Sequence, residues 1–188
     1  MTEKTVNTLS VVTVSYNSAD TIENTIKSVL GQDYKDIKSI IIDGNSNDGT
    51  QDIIKSYGAD ISYWISEKDN GIYDAMNKGL EQASGEWIVF MNSNDKFFNS
   101  SVVSHFMSLD TDADILYGYC VDPENNKTIL PKPLEKFWKR IPMNHQSSFV
   151  RASLHKEYNV KKCSIRHLPV QKKRVVIYLF GIQTNLIG

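Results

Sequence analysis

Leu9-Ser-Val-Val-Thr-Val14 is a short apolar run rich in β-branched residues, and it stops at Ser15-Tyr16-Asn17. Such a run, bounded by turn residues, reads as a buried strand. Asp20 follows, three residues before Glu23, at the spacing of a capping box. Ile22, Ile26, Val29 and Leu30 then fall on one helical face, and Gly31 stands where a C-cap glycine belongs. A strand and a helix are therefore joined by a link of only a few residues.

The unit repeats along the chain. Ile37 to Ile42 reads as a second strand ending at Asp43-Gly44, and Asp48-Gly49-Thr50 opens a helix to about Tyr57. Ile61 to Ile65 reads as a third strand. Ile72, Ala75, Met76, Gly79, Leu80 and Ala83 form a third apolar helical face, with Ile72, Met76 and Leu80 expected in the core. Trp87 to Met91 reads as a fourth strand, stopping at Asn92-Ser-Asn-Asp95. Strand and helix in alternation with short links predict an α/β fold: a Rossmann-like, mainly parallel sheet with helices on both faces. Ligands of such sheets bind beyond the carboxyl ends of the strands, where this chain gathers its polar and acidic residues. Farther on, Val102 to Met107 reads as a helix and Ile115 to Val121 as a strand. Pro123 to Asn126 reads as a turn, with Thr128 to Leu130 pairing back. Phe149 to Leu154 reads as the start of a helix.

The 188 residues, 40% hydrophobic and 23% charged, suit one globular domain with one core. The formal net charge of -1 gives no reason to expect nucleic acid as a partner. Its distribution is uneven: residues 1–150 hold 13 Lys and Arg against 21 Asp and Glu, and residues 151–188 hold 8 against 1. Cys120 and Cys163, the two cysteines, can build neither a disulfide framework nor a four-thiolate zinc site. No apolar stretch reaches the ~20 residues of a membrane span, and the polar N-terminus does not read as a secretion signal. A cytoplasmic location is expected, at the inner face of the membrane if the basic tail touches lipid. The glycine signatures of dinucleotide-binding and P-loop enzymes are missing, and Ser15 is not in a nucleophile elbow.

Four motifs occur in order, each at a predicted strand end. They are Val-Val-Thr-Val-Ser-Tyr-Asn (11–17), Ile-Ile-Asp-Gly-Asn-Ser-Asn-Asp-Gly-Thr (41–50), Glu-Lys-Asp-Asn-Gly-Ile-Tyr-Asp-Ala-Met-Asn-Lys-Gly (67–79) and Gly-Glu-Trp-Ile-Val-Phe-Met-Asn-Ser-Asn-Asp (85–95). Together they resemble a family 2 glycosyltransferase of the GT-A fold, of the kind that builds bacterial cell-surface polysaccharides. The resemblance covers about residues 8–155 and is strongest up to residue 95. It implies a GT-A domain over 1–158, with a nucleotide-sugar-binding half (8–100) and an acceptor half (101–158), and a basic tail over 159–188.

The resemblance also implies a nucleotide-sugar donor, usually a UDP-sugar, a saccharide or lipid-linked acceptor, and Mg²⁺ or Mn²⁺. Ser15, Tyr16, Asp43 and Asp69 match positions around the donor nucleotide. Asp74, Asn77, Lys78, Asn94 and His145 match positions near the sugar and phosphates. Asp95 matches the last acid of the metal-binding motif. A diphosphate leaving group gathers negative charge, which a hard divalent ion on oxygen ligands stabilises. Each residue also has an ordinary structural use. Asp43 could close an Asx-turn, Asp95 could cap the following turn, Tyr16 could be a core tyrosine, and His145 could be structural. Arg151 could offset phosphate charge or be solvated, and His105 and His155 need no function.

Inverting relatives carry an acid that serves as general base for the acceptor hydroxyl. It is not identified here: past Asn125 the only acids are Glu135 and Glu157, neither in the expected motif. From about Asn159 the family pattern stops. Lys161 to Arg174 is strongly basic and leads into the apolar run Val175 to Phe180. Two readings follow for this tail, a peripheral contact with an anionic membrane or the end of a truncated or frame-shifted product. On the second, the chain would be a catalytically impaired nucleotide-sugar-binding remnant.

Overall fold

The computed structural model describes residues 8–122, 127–130, 147–158 and 175–184. Strands β1 (Leu9–Ser15), β2 (Ile37–Asp43), β3 (Tyr63–Ser66) and β4 (Trp87–Asn92) alternate with helices α1 (Ile22–Leu30), α2 (Thr50–Ser56) and α3 (Ile72–Gln82). The four strands run parallel in the order β3-β2-β1-β4. Next come β5 (Asp95–Phe97), α4 (Val102–Met107), β6 (Ile115–Asp122), β7 (Lys127–Ile129), β8 (Ser148–Arg151), α5 (Ala152–Tyr158) and β9 (Val175–Thr184). These later strands continue the sheet as β8-β6-β9-β5, with β7 paired to β6. Most of their pairings are antiparallel, so a parallel half is joined to a mixed one.

Period-two alternation divides the core between the two faces of the sheet. Leu9 and Val11 of β1 and Trp87, Val89 and Met91 of β4 pack with Val29 of α1 and Val102, Val103 and Phe106 of α4. Ile41 of β2 meets Ile22, Ile26 and Ile54 of α1 and α2 on that face. The alternate residues Val12, Val14, Ile40, Ile42, Ile88 and Phe90 pack with Ala75 and Met76 of α3. Helix α3 lies so close that a Cβ on Gly79 would stand 2.2 Å from Val12 Cγ1. At the end of α1, a Cβ on Gly31 would stand 2.8 Å from the Lys27 carbonyl oxygen. Glycine is required there by that contact, because its φ of -80° is not left-handed.

Several expectations need correction. The N-cap of α1 is Thr21 and not Asp20, and Glu23 instead pairs with Lys27 at 3.0 Å and accepts from the Tyr57 hydroxyl at 2.8 Å. Residues 148–151 form a strand, because Ser-Phe-Val-Arg pairs with β4 and β6, and the helix begins only at Ala152. Ile72 is 45% exposed, because it is the first residue of α3 and stands clear of the sheet. Met76 is buried as expected, and Leu80 packs at the edge of the core. The apolar run from Val175 forms β9 within the sheet, between β6 and β5. The basic cluster before it, the turn at 123–126, and Cys163 lie outside the described residues. Among those described, no helix is long and apolar enough to cross a membrane.

Candidate nucleotide-sugar site

Ser15, Asp43, Ser66 and Asn92 end the four parallel strands at one edge. Ser15 lies in register with Asp43, Asp43 with Ser66, and Val14 with Asn92. Beyond them the loops after β1 and β2 bend through Asn17 (φ 45°) and Asn45 (φ 64°), a residue type that tolerates left-handed backbone. The two loops are bonded to each other. The Asn17 N–H donates to Ser46 Oγ at 2.8 Å, and the Asn47 N–H donates to Asn17 Oδ1 at 3.1 Å. The Ser18 N–H donates to Thr50 Oγ1 at 2.8 Å and the Ala19 N–H to Asp48 Oδ2 at 3.0 Å. The Thr50 hydroxyl and then the Ala19 N–H hold the Asp48 carboxyl below the usual carboxylate range. On the other side, the Ser93 hydroxyl donates to Ser18 Oγ at 2.7 Å.

Asp43 is fully buried and braces this loop pair. Its carboxylate accepts from the Ser46 N–H (2.9 Å), the Ser46 hydroxyl (2.5 Å) and the Ser66 hydroxyl (2.6 Å). The bond from the Ser46 N–H comes from three residues on, so it closes a turn one residue wider than the Asx-turn expected at Asp-Gly. Tyr16 is no core residue: it is 66% exposed. Asp69 comes to its side. Asp69 Oδ1 accepts from the Gly71 N–H at 2.8 Å. A Cβ on Gly44 would lie 2.7 Å from Asp69 Oδ2 and 3.2 Å from Tyr16 Cδ2. Ring, glycine and carboxylate thus meet where the loops after β1, β2 and β3 converge.

Asp74 and Lys78 share a second cluster at the start of α3. Asp74 Oδ2 accepts from the Asn70 N–H at 3.0 Å. Lys78 Nζ donates to Glu67 Oε1 at 2.7 Å and to the Lys68 carbonyl at 3.2 Å, with Asp74 Oδ2 at 3.7 Å. The Glu67 carboxylate holds the Lys78 ammonium above the ordinary lysine value, so it stays charged throughout the neutral range. Ser15 Oγ and Asn77 Oδ1 are buried and have no hydrogen-bond partner among the described residues.

Asp95 has a duty that its assignment to a metal did not anticipate. It is 2% exposed, and Oδ2 accepts from the Asn92 N–H at 2.9 Å. The carboxylate therefore caps the preceding turn, not the following one. Ser93 and Asn94 are the central residues of that turn, both half-buried. Arg151 lies at the opposite end of β4 and is neither a phosphate partner nor solvated. Its guanidinium sits 4.4 Å from the Trp87 ring centre, is bonded to Glu86, and donates from Nε to the Ala113 carbonyl at 2.9 Å. His145 and Glu135 fall outside the described residues. Glu157 lies in α5.

Sequence reasoning missed two contributors, Ser46 and Ser66, which hold Asp43.

The family model described as "Glycosyl transferase family 2" matches residues 10–167. An uncharacterized glycosyltransferase of Mycobacterium tuberculosis is 36% identical over 157 residues, covering 78% of this chain and 60% of that protein. The GalNAc(5)-diNAcBac-PP-undecaprenol beta-1,3-glucosyltransferase of Campylobacter jejuni is 30% identical over 135 residues, covering 68% of this chain and 44% of that protein. This chain thus spans about 60% or less of the length of these relatives. Among solved structures, S. aureus TarS 1–349 in complex with UDP-GlcNAc superposes with a TM-score of 0.75 at 18% identity, covering 96% of this chain and 59% of that one. That likeness bears out the GT-A fold, and the sequence match carries the family. The chain belongs to glycosyl transferase family 2.

Proposed function

We propose that this chain moves a sugar from a nucleotide-sugar donor, with UDP as the nucleotide, to a saccharide or lipid-linked acceptor. The observation that carries this reading is the meeting of the exposed Tyr16 ring with the Asp69 carboxylate at Gly44. An exposed ring beside an acceptor suits a base that stacks on one face and offers an N–H or O–H at its edge. UDP-GlcNAc in TarS supports UDP as the nucleotide. The undecaprenol-linked acceptor in the name of the Campylobacter relative supports a lipid-linked one here. The family match over 10–167 supports an enzyme over a binding remnant. A basic segment at 161–174 that touches anionic lipid head groups belongs to the same proposal.

In this reading the residues divide the work by charge. Tyr16 and Asp69 fix the nucleoside. Asp43, already saturated by Ser46 and Ser66, keeps the two loops at their spacing. Lys78, anchored by Glu67, brings positive charge toward the diphosphate. Ser15 at the end of β1 and Asn77 in α3 keep a buried hydroxyl and a buried amide oxygen without a partner among the described residues. At the end of β4 one Asp95 carboxylate oxygen accepts from the Asn92 N–H, and Asn94 stands in the same turn. Asp95, with Asn94 as a neutral helper, would hold Mg²⁺ or Mn²⁺ together with the diphosphate oxygens, one carboxylate being enough for a hard ion in a phosphate site. When bound, that ion would supply positive charge to the departing diphosphate. By analogy with the family, the transfer inverts the anomeric carbon.

The test is incubation with a panel of UDP-sugars, Mn²⁺ and a membrane extract, following UDP release. Release that Asp69→Ala and Tyr16→Ala each suppress is the expected result. No release from any donor, together with no UDP binding by calorimetry, overturns the reading.

A further inference from the structure

Position 44 is glycine, yet its backbone is not left-handed, so no turn geometry demands one. What excludes a side chain is tertiary. The place a Cβ would take is 2.7 Å from Asp69 Oδ2 and 3.2 Å from the Tyr16 ring. The neighbouring acid, Asp43, is buried and committed to Ser46 and Ser66. Asp69 is half-exposed, and one of its oxygens is fixed by the Gly71 N–H. This anchor turns the other oxygen toward the gap at Gly44, alongside the most exposed large aromatic of the strand-end loops.

We infer that Gly44 is a positioning residue of the nucleoside site: the space left by its missing side chain admits the Asp69 carboxylate from the third loop to the side of the Tyr16 ring. Gly44 acts through Asp69, the acid that the proposed function sets against the nucleoside. The inference rests on the proposed nucleotide-binding role of this edge. It has a mechanical corollary. A methyl group at position 44 meets the far end of Asp69 and the edge of the exposed Tyr16 ring, not backbone, so Asp69 swings aside, the ring gives by a few tenths of an ångström, and the fold stays intact.

A double-mutant cycle on UDP binding, read by calorimetry with Mn²⁺ present and paired with thermal melts, tests this in the full chain. Asp69→Ala should weaken UDP by at least about tenfold, as loss of a hydrogen bond to a charged group does. Gly44→Ala should cost a similar factor with its melting temperature unchanged. In the Asp69→Ala background, Gly44→Ala should add no more than about twofold, since the group it displaces is already gone. Multiplicative losses, or no loss from Gly44→Ala alone, overturn the inference while leaving nucleotide binding in place. A Gly44→Ala chain that fails to fold overturns it too, since backbone and not Asp69 then gave way. Wild-type chain that binds no UDP overturns the function reading and this inference together.

Discussion

The two ends of β4 handle charge in opposite ways. At its start, Arg151 lies over Trp87, pairs with Glu86 and reaches the Ala113 carbonyl, while Trp87 meets Phe106 edge-on and Phe106 stacks on Phe149 at 4.0 Å. Every strong group there finds a partner within the chain, and the end is closed. At the other end, Asp43, Asp48 and Asp95 are also satisfied internally, yet they serve to shape loops that leave the Tyr16 ring outward. Burial of charge therefore does not locate the site. What locates it is charge used to brace loops around groups left without protein partners.

The closed end should give the largest effect on stability. Trp87→Ala removes a buried ring and the platform under Arg151, and should cost about 3–5 kcal/mol in urea unfolding. UDP affinity per folded molecule should stay unchanged, and a parallel loss of both would show that the two ends are coupled. His155 comes next. It is buried against Phe90, and burial pushes its pKa down from 6.5 to about 4. The unfolded chain then takes up the proton first as pH falls, so this contribution is complete above about pH 6.5 and is lost toward pH 4. The loss should be on the order of 3 kcal/mol, at 1.36 kcal/mol per unit. Equilibrium unfolding at pH 7 and pH 4 should show His155→Phe losing less than the wild type by that amount.

Asp95→Ala lies between structure and site. It strips the Asn92 N–H of its acceptor and should cost about 1–3 kcal/mol of stability. If Asp95 were instead a metal ligand held in a strained pocket, removing it would leave stability unchanged or raise it. Smallest in stability is Tyr16→Ala, which should change unfolding by no more than about 0.5 kcal/mol because the ring is exposed. Its UDP affinity should nevertheless fall by about 1–3 kcal/mol, the scale of base–aromatic stacking. A Tyr16→Ala chain that binds UDP normally would remove the ring from the nucleoside site.

The parallel half of the sheet was legible because β1, β2 and β4 are short, apolar and β-branched, and because α1 and α3 repeat their apolar residues at helical spacing. The gathering of the polar strand ends at one edge followed from that alternation of strand and helix. Four features were not legible, each for a physical reason. Ser148–Arg151 alternates too briefly to outweigh the helix that follows it, and its partners lie far away in sequence. Ile72 continues the apolar period of α3, but periodicity does not tell where a helix overhangs its sheet. The duty of Asp95 depends on a turn that brings its carboxylate back to the Asn92 N–H, and spacing alone does not reveal that closure. The approach of Asp69 to Gly44 is tertiary, between the loops that leave two neighbouring strands.

Close seating of α3 on Val12 through Gly79 limits how this side of the sheet can move. With main chain nearly touching a neighbouring methyl, the helix has no clearance to rock or slide along the sheet. Freedom to adjust then falls to the segment ahead of the helix, Glu67 to Gly71, where a glycine at φ 103° holds a backbone conformation that other residues rarely adopt.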